Sequence, residues 1–160
     1  MKTTLLGALI FLTAGLAQAA MVKVELTNLR NEKGQVVVAV FNQQGYPKTP
    51  LTATGREAFS PTGLPSVCPA DKKTPQPAYV KAFYTPAATM QFTVDLPPGD
   101  YSIGVVHDAN LNCKLDGVPP NEGGSFTGGI GTFGPKDWEK SKFNVPANGT
   151  AVSIKMKYWM

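Results

Sequence analysis

The sequence has only one histidine and two cysteines among its 160 residues, and charged residues make up 16% of it. A single histidine excludes a zinc site built from several histidines. The absence of a Cys-x-x-Cys pair and of a Gly-x-Ser-x-Gly elbow argues against thiol redox and serine-hydrolase chemistry. The lysines are scattered, and no basic run alternates with aromatic residues, so we predict no nucleic-acid partner.

The longest apolar run lies at the N-terminus. Lys2 precedes the apolar residues 5–16, and Ala17-Gln18-Ala19 has the small-x-small pattern of a cleavage site. These features predict a secretory signal peptide over residues 1–19 and a single domain over residues 20–160, which is periplasmic or secreted. The alternative is an N-terminal membrane anchor, but about a dozen apolar residues are too few to span a bilayer. We therefore predict no membrane span in the mature chain.

The rest of the sequence is typical of short strands joined by tight turns. Period-two alternation or continuous apolar stretches predict about seven strands with almost no helix, at 22–26, 35–41, 79–84, 89–96, 101–107, 142–145 and 151–158. We expect the first two to form a hairpin, and the last two to form another around Asn148-Gly149. This pattern predicts one antiparallel β-sandwich. Two long loops interrupt it, one rich in proline (43–78, with a helical turn near 56–59) and one at 108–137.

The second long loop carries the clearest chemical pattern. Oxygen-bearing side chains recur at every second residue after the strand, which is the spacing that can wrap a loop around Ca²⁺. The candidate ligands are Asp108, Asn110, Asn112, the backbone carbonyl of Lys114, Asp116 and Glu122. The pattern departs from an EF-hand, because Cys113 stands where that loop needs glycine and Pro119 stands where it needs glutamate. The alternative is a loop in which Asp108 and the asparagines bond their own backbone.

The two cysteines predict one disulfide. In an oxidising compartment, Cys68 and Cys113 form the even pair expected of a disulfide, which would tie the proline-rich loop to the calcium loop. Closing about 45 residues would contribute about 3–4 kcal/mol in the chain-entropy model. The alternative is two free buried thiols.

Several segments together resemble a known bacterial family. They are Leu26–Asn31, Lys33-Gly34, Val38–Asn42, Leu96–Tyr101, Val106–Asn112, Leu115-Asp116, Pro120–Gly123, Gly134-Pro135 and Phe143. In these the chain resembles the exported family catalogued as domain of unknown function 2141. The resemblance covers nearly the whole mature chain and implies an extracytoplasmic β-sandwich of the immunoglobulin-like or prealbumin-like type, similar also to carboxypeptidase-regulatory modules. It implies no reaction. The chain departs from the family pattern at Cys113, where glycine is favoured, and in a longer insert around Cys68.

Other motifs point less clearly to a function. His107 is expected to orient the loop by bonding a neighbouring carboxylate or carbonyl.

Residues 129–134 spell Gly-x-Gly-x-x-Gly, but without a preceding strand and a following helix they predict a glycine-rich surface loop. Phe126, Phe133 and Trp138 form a possible ligand surface, or alternatively cover the core. The sequon at Asn148 is better explained by its turn.

These observations favour a non-enzymatic module with no catalytic residue. Its loop, held by Ca²⁺, would stiffen a surface at 108–138 that binds a glycan, a peptide or an envelope protein. One alternative is a purely structural accessory subunit of an envelope complex. The other is a hydrolase that uses Asp108, Asp116 or Glu122 as acid and base.

Overall fold

The computed structural model describes residues 18–46, 79–84, 88–111, 122–130 and 136–158, with 79–84 described as backbone. Within these ranges the chain forms nine strands and one four-residue helix, which confirms the predicted β-rich class. No helix in these ranges is long and apolar enough to cross a membrane. In chain order the elements are β1 (Ala20–Thr27), β2 (Gln35–Phe41), β3 (Tyr79–Tyr84), β4 (Met90–Leu96), β5 (Gly99–Asp108), β6 (Gly123–Phe126), α1 (Trp138–Ser141), β7 (Phe143–Val145), β8 (Thr150–Lys155) and β9 (Lys157–Tyr158).

The strands form two sheets. The smaller sheet has the order β4-β1-β8, in which β1 is antiparallel to β4 and parallel to β8. The larger sheet has the order β3-β2-β5-β6-β9, and β7 pairs with the first residues of β5. All pairs described in the larger sheet are antiparallel. The long strand β5 therefore lies at the centre of the larger sheet and pairs directly with β2, β6 and β7.

The two sheets share one apolar core. In β1 every second residue is buried, because successive side chains of a strand point to opposite faces. The core takes Val22, Val24 and Leu26 from the smaller sheet and Val38 and Ile103 from the larger one, among others. Burying each such side chain stabilises the fold by about 1.5–3 kcal/mol.

Strand β2 is buried on both faces. All seven of its residues are buried, and while Val36, Val38 and Val40 enter the shared core, the intervening residues face the other side of the larger sheet. There they form a second cluster, here called the outer cluster: Val37, Ala39, Phe41, Val106 and Phe126. This explains why β2 has a continuous apolar sequence rather than an alternating one.

The predicted hairpin between the first two strands is wrong. β1 pairs with β4 and β8, whereas β2 pairs with β3 and β5. Both strands supply the same core from different sheets, so the chain between them crosses from one sheet to the other. Residues 28–34 form this connection, here called the crossing segment, and Asn28 (φ 65°) and Gly34 (φ 72°) adopt left-handed backbone at its two ends.

The turn at Asn148-Gly149 forms, but the hairpin predicted around it is also wrong. Gly149 has a φ of 82°, and its N–H donates to the carbonyl of Pro146 at 2.9 Å. The flanking strands go to different sheets, since β7 pairs with β5 and β8 pairs with β1. A Cβ on Gly149 would lie 2.4 Å from the carbonyl oxygen of Met21, so the turn lies directly against β1.

Two further strands distinguish the structure from the predicted set. The short strand β6 lies inside the segment predicted as the second long loop. The last predicted strand is divided at Met156, whose N–H donates to the carbonyl of Thr27 at 2.9 Å. The Nδ2 of Asn28 donates to the Met156 carbonyl at 2.7 Å, so the backbone between β8 and β9 bonds to the crossing segment.

Candidate functional site

Two buried carboxylates mark the ends of the loop between β5 and β6. Asp108 is the last residue of β5 and is fully buried, and Glu122 immediately precedes β6 and is 7% exposed. The register pairs His107 with Gly123, so continuing it by one residue places Glu122 opposite Asp108. The loop thus leaves and rejoins the sheet at two neighbouring acidic residues.

Gln35 adds a third polar side chain to this end of the sheet. It pairs with Asp108 across the β2–β5 ladder, and its Nε2 donates to Oδ2 of Asp108 at 3.0 Å. Gln35 is itself 3% exposed. Alternation along the strands puts Gln35 and Asp108 on the face of the outer cluster, two residues from Val37 and Val106. A row of oxygen-bearing side chains therefore borders the apolar outer cluster.

The chemistry of this row is compatible with a cation. Burying a carboxylate costs free energy unless it is hydrogen-bonded, protonated or close to a positive charge. Two neighbouring carboxylates raise that cost, because their charges repel each other in a medium of low dielectric constant. Carboxylate and amide oxygens are also the ligands that Ca²⁺ prefers. The arrangement of Asp108, Glu122 and Gln35 is thus suited chemically to binding a hard cation.

The six predicted ligands fall into two groups. Asp108 and Glu122 lie at the two ends of the β5–β6 loop, and Asn110 lies in the turn after β5, where it is exposed. Next to it, Leu111 adopts left-handed backbone with a φ of 60°. The other three, Asn112, Lys114 and Asp116, lie outside the described residues. Among the described residues, no group of three or more His, Cys, Asp and Glu side chains could hold a metal.

His107 faces the opposite side of the sheet from Asp108. Its Nε2 lies 2.8 Å from the carbonyl oxygen of Lys33, which can only accept, so Nε2 carries the proton. Its Nδ1 then accepts from the hydroxyl of Tyr158 at 2.7 Å. Burial lowers the pKa of His107, although the bond to Lys33 and the charge of Asp108 oppose this. Burial thus favours the neutral ring, and its bond to Lys33 fixes the crossing segment before β2 rather than the loop after β5.

The hydroxyl of Tyr158 links His107 to a basic residue. It accepts from the backbone N–H of Arg30 at 3.2 Å, and the Arg30 guanidinium lies 4.7 Å from the centre of the tyrosine ring. The His107 and Tyr158 rings meet edge to face at 5.9 Å. Sequence reasoning did not assign a functional role to Arg30 or Tyr158, because they are 128 residues apart and only the folded chain brings them together.

The aromatic residues proposed as a ligand surface do not share one environment. Phe126 is 2% exposed and packs in the outer cluster, 6.4 Å from Phe41. Trp138 is partly buried, and Phe133 lies outside the described residues. Tyr46 connects the two described rings, with its ring centre 5.8 Å from Phe126 and 5.3 Å from Trp138. A ligand surface in this region remains a prediction that depends on Trp138.

Tyr46 also belongs to a network of hydroxyl groups. Its hydroxyl donates to the carbonyl of Lys136 at 2.8 Å and lies 2.7 Å from Oγ of Ser141. Thr127 donates to the Ser141 carbonyl at 2.5 Å, and its oxygen accepts from the N–H of Ile103. Burial raises the pKa of Tyr46, and the bond to Ser141 opposes that rise. This network ties the helix α1 to β5 and β6, which is a structural role.

The remaining predictions for this region lie outside the described residues. They include both cysteines of the predicted disulfide, Cys68 and Cys113, and the last four positions of the glycine-rich motif. Its first residue, Gly129, donates to the carbonyl of Phe126 at 2.8 Å in a turn after β6. The predicted leader at 1–19 and the helical turn near 56–59 are likewise outside, except for residues 18 and 19.

Comparison with known proteins gives a family match. The family described as an uncharacterized protein conserved in bacteria (DUF2141) matches residues 24–153, a span that begins in β1 and ends in β8. It includes Gln35, His107, Asp108 and Glu122. No curated protein and no solved structure matches the chain. Because the match covers most of the sequence, the chain belongs to the DUF2141 family.

Proposed function

We propose that this protein is an exported, non-enzymatic binding module, built as an immunoglobulin-like or prealbumin-like β-sandwich, in which Ca²⁺ closes the loop between β5 and β6. The observation that carries the proposal is the burial of Asp108 and Glu122 at the two ends of that loop. The apolar run at residues 5–16, followed by Ala17-Gln18-Ala19, supports export to the periplasm or the medium.

A bound cation would join the two ends of the loop. Asp108 and Glu122 supply two carboxylates, and Asn110, Asn112, Asp116 and the carbonyl of Lys114 supply the further oxygens that Ca²⁺ needs. With three carboxylates in all, we expect an affinity in the range of extracellular modules, about 10⁻⁴–10⁻³ M. The ion offsets the repulsion between the buried carboxylates and holds the surface at 108–138 in one conformation, ready for a glycan, a peptide or an envelope protein.

Burial supports binding rather than catalysis. A carboxylate that acts as general acid or base has to reach its substrate within hydrogen-bond distance. Asp108 is fully buried and bonded to Gln35, and both ring nitrogens of His107 are engaged. This burial supports a role in stabilising the fold and holding an ion, and it weighs against the carboxylate hydrolase.

Isothermal titration calorimetry tests the proposal. The purified protein, freed of metal with a chelator, is titrated with CaCl₂. We expect one Ca²⁺ per chain and loss of the heat signal in Asp108→Asn and in Glu122→Gln. Asp95→Asn, which removes an exposed carboxylate from the smaller sheet, is the matched control and should bind as the wild type does. Absence of any calcium heat in the folded wild-type protein would overturn the cation, and equal loss in the control would overturn the site.

A further inference from the structure

A groove of about 500 Å³ lies where the crossing segment, β9 and the turn after β6 meet. Its basic residues are Arg30, Lys155 and Lys157, all exposed, and its wall includes Tyr158 and Ser125. Among the described residues, no aspartate or glutamate lines it. The volume is in the range of small-molecule sites, which are typically about 300–1,000 Å³.

The charges of this groove are not balanced by ion pairs within the described part of the chain. The ion pairs there join Lys140 to Asp137, and Lys142 to Asp100 and Glu139. None of them involves a basic residue of the groove. Positive charges gathered in a concave surface raise the local concentration of anions, because the low-dielectric walls focus the field.

Arg30 is held in place before any ligand arrives. Its guanidinium stacks on the ring of Tyr158 at 4.7 Å, and its backbone N–H donates to the Tyr158 hydroxyl, which in turn bonds His107. Stacking uses the flat face of the guanidinium and leaves its in-plane N–H donors for an acceptor. The conformational entropy that a free arginine loses on binding is therefore partly lost already on folding.

The two lysines extend from a constrained segment. They flank Met156, which is buried, with its N–H bonded to the carbonyl of Thr27 at the end of β1 and its carbonyl bonded to Asn28 of the crossing segment. Lys155 and Lys157 are exposed on either side of it. The backbone of all three basic residues thus belongs to one hydrogen-bonded unit, in which the segment carrying Arg30 meets the segment carrying both lysines.

We propose that this groove binds a phosphate monoester of sugar size. Three positive charges match the doubly charged phosphate better than a single carboxylate, and arginine's donors fit phosphate oxygens in pairs. The volume leaves room for a sugar-sized group beside the phosphate. This inference names a ligand class for the binding module proposed above, but it uses none of the proposed calcium ligands.

Calorimetric titrations of the wild-type protein with inorganic phosphate, glucose 6-phosphate and glucose at fixed ionic strength test the ligand class. We expect glucose 6-phosphate to bind with a Kd of about 1 mM or below, more tightly than inorganic phosphate, and glucose to give no heat. Tighter or equal binding of inorganic phosphate would overturn the sugar-sized ligand, and absence of binding by both anions would overturn the groove as an anion site.

Variants test the residues. Arg30→Gln and Lys157→Gln should each weaken glucose 6-phosphate binding about tenfold, since a charge-assisted hydrogen bond is worth about 1.5–3 kcal/mol. Lys23→Gln, which removes an exposed charge from the smaller sheet, is the control and should leave it unchanged. Equal weakening in the control would show non-specific charge attraction and overturn the proposal. If a variant fails to fold, backbone chemical shifts of the wild type decide: changes on ligand addition should centre on Ser125 and Tyr158, and changes elsewhere alone would contradict the groove.

The calcium titration and the phosphate titration test the two proposals separately. Phosphate binding without calcium binding overturns the cation and leaves the groove. Calcium binding without phosphate binding overturns the groove and leaves the cation.

Discussion

Gln35 and Asp108 lie opposite each other in the β2–β5 ladder, and the amide of Gln35 donates to the Asp108 carboxylate at 3.0 Å while both side chains are buried. Gln35→Leu removes the donor and leaves that carboxylate oxygen with one bond fewer. We expect the free energy of unfolding to fall by about 1–3 kcal/mol, measured by urea denaturation without calcium.

Gln91 offers a matched control for Gln35. It also bonds a carboxylate across a ladder, that of Glu25 at 3.5 Å, but it is exposed on the smaller sheet. Gln91→Leu should change the free energy of unfolding by less than about 0.5 kcal/mol. Equal effects of the two substitutions would mean that burial does not strengthen the bond between Gln35 and Asp108.

Gly34→Ala should destabilise the protein more than Gly129→Ala. Both glycines have left-handed backbone, which costs any other residue about 1–2 kcal/mol. A Cβ on Gly34 would also lie 2.0 Å from the carbonyl oxygen of Asp108, whereas at Gly129 the nearest atom is the end of the flexible Lys136 side chain at 3.3 Å. Overpacking against backbone adds about 1–3 kcal/mol, visible in the urea midpoint. Similar midpoints for the two variants would contradict the close approach of Gly34 to β5.

Tyr158→Phe should destabilise the protein and change the environment of His107. It removes the proton that the Nδ1 of His107 accepts, at a cost of about 1–3 kcal/mol. Nitrogen-15 NMR should show His107 of the wild type as the neutral Nε2–H tautomer. Tyr46→Phe, which removes a hydroxyl that bonds Lys136 and Ser141, is the control and should leave the His107 signals unchanged. A wild-type ring protonated on Nδ1 alone would contradict the hydrogen bonds assigned to it.

Stability should fall at high pH partly through Tyr46. Burial raises the pKa of Tyr46 in the folded protein above the ordinary value of 10.0. The unfolded chain then loses this proton first, so the contribution is fully present below about pH 10 and is lost as the pH rises through the folded pKa. Tyr46→Phe should show a shallower decline of unfolding free energy above pH 10. An identical decline in the wild type and the variant would contradict the burial of this hydroxyl.

The sequence predicted the strands and turns far better than it predicted their pairing. Alternation in β1 and the turn at Gly149 follow from local chemistry, namely side-chain period and left-handed backbone. Whether the next strand returns to the same sheet depends on which residues, far apart in sequence, pack against each other in the core. The connections from β1 to β2, from β4 to β5 and from β7 to β8 all cross between the sheets, although each contains ordinary turn residues.

The candidate site was predictable only in part, for the same reason. Asp108 and Glu122 are close enough in sequence to suggest a loop with ligands at both ends. Gln35 is 73 residues from Asp108 and joins it only through the ladder. One signal for it existed: Gln35 begins a strand that is otherwise wholly apolar, so a polar residue there needs a buried partner.

A crystal structure of the protein grown with CaCl₂, with the ion located by anomalous scattering, is the sharpest test of whether one divalent ion joins the two ends of the β5–β6 loop. We expect a single strong peak within about 2.3–2.6 Å of carboxylate oxygens of both Asp108 and Glu122. Side chains of Asp108 and Glu122 turned apart, with no peak between them at saturating calcium, would contradict it.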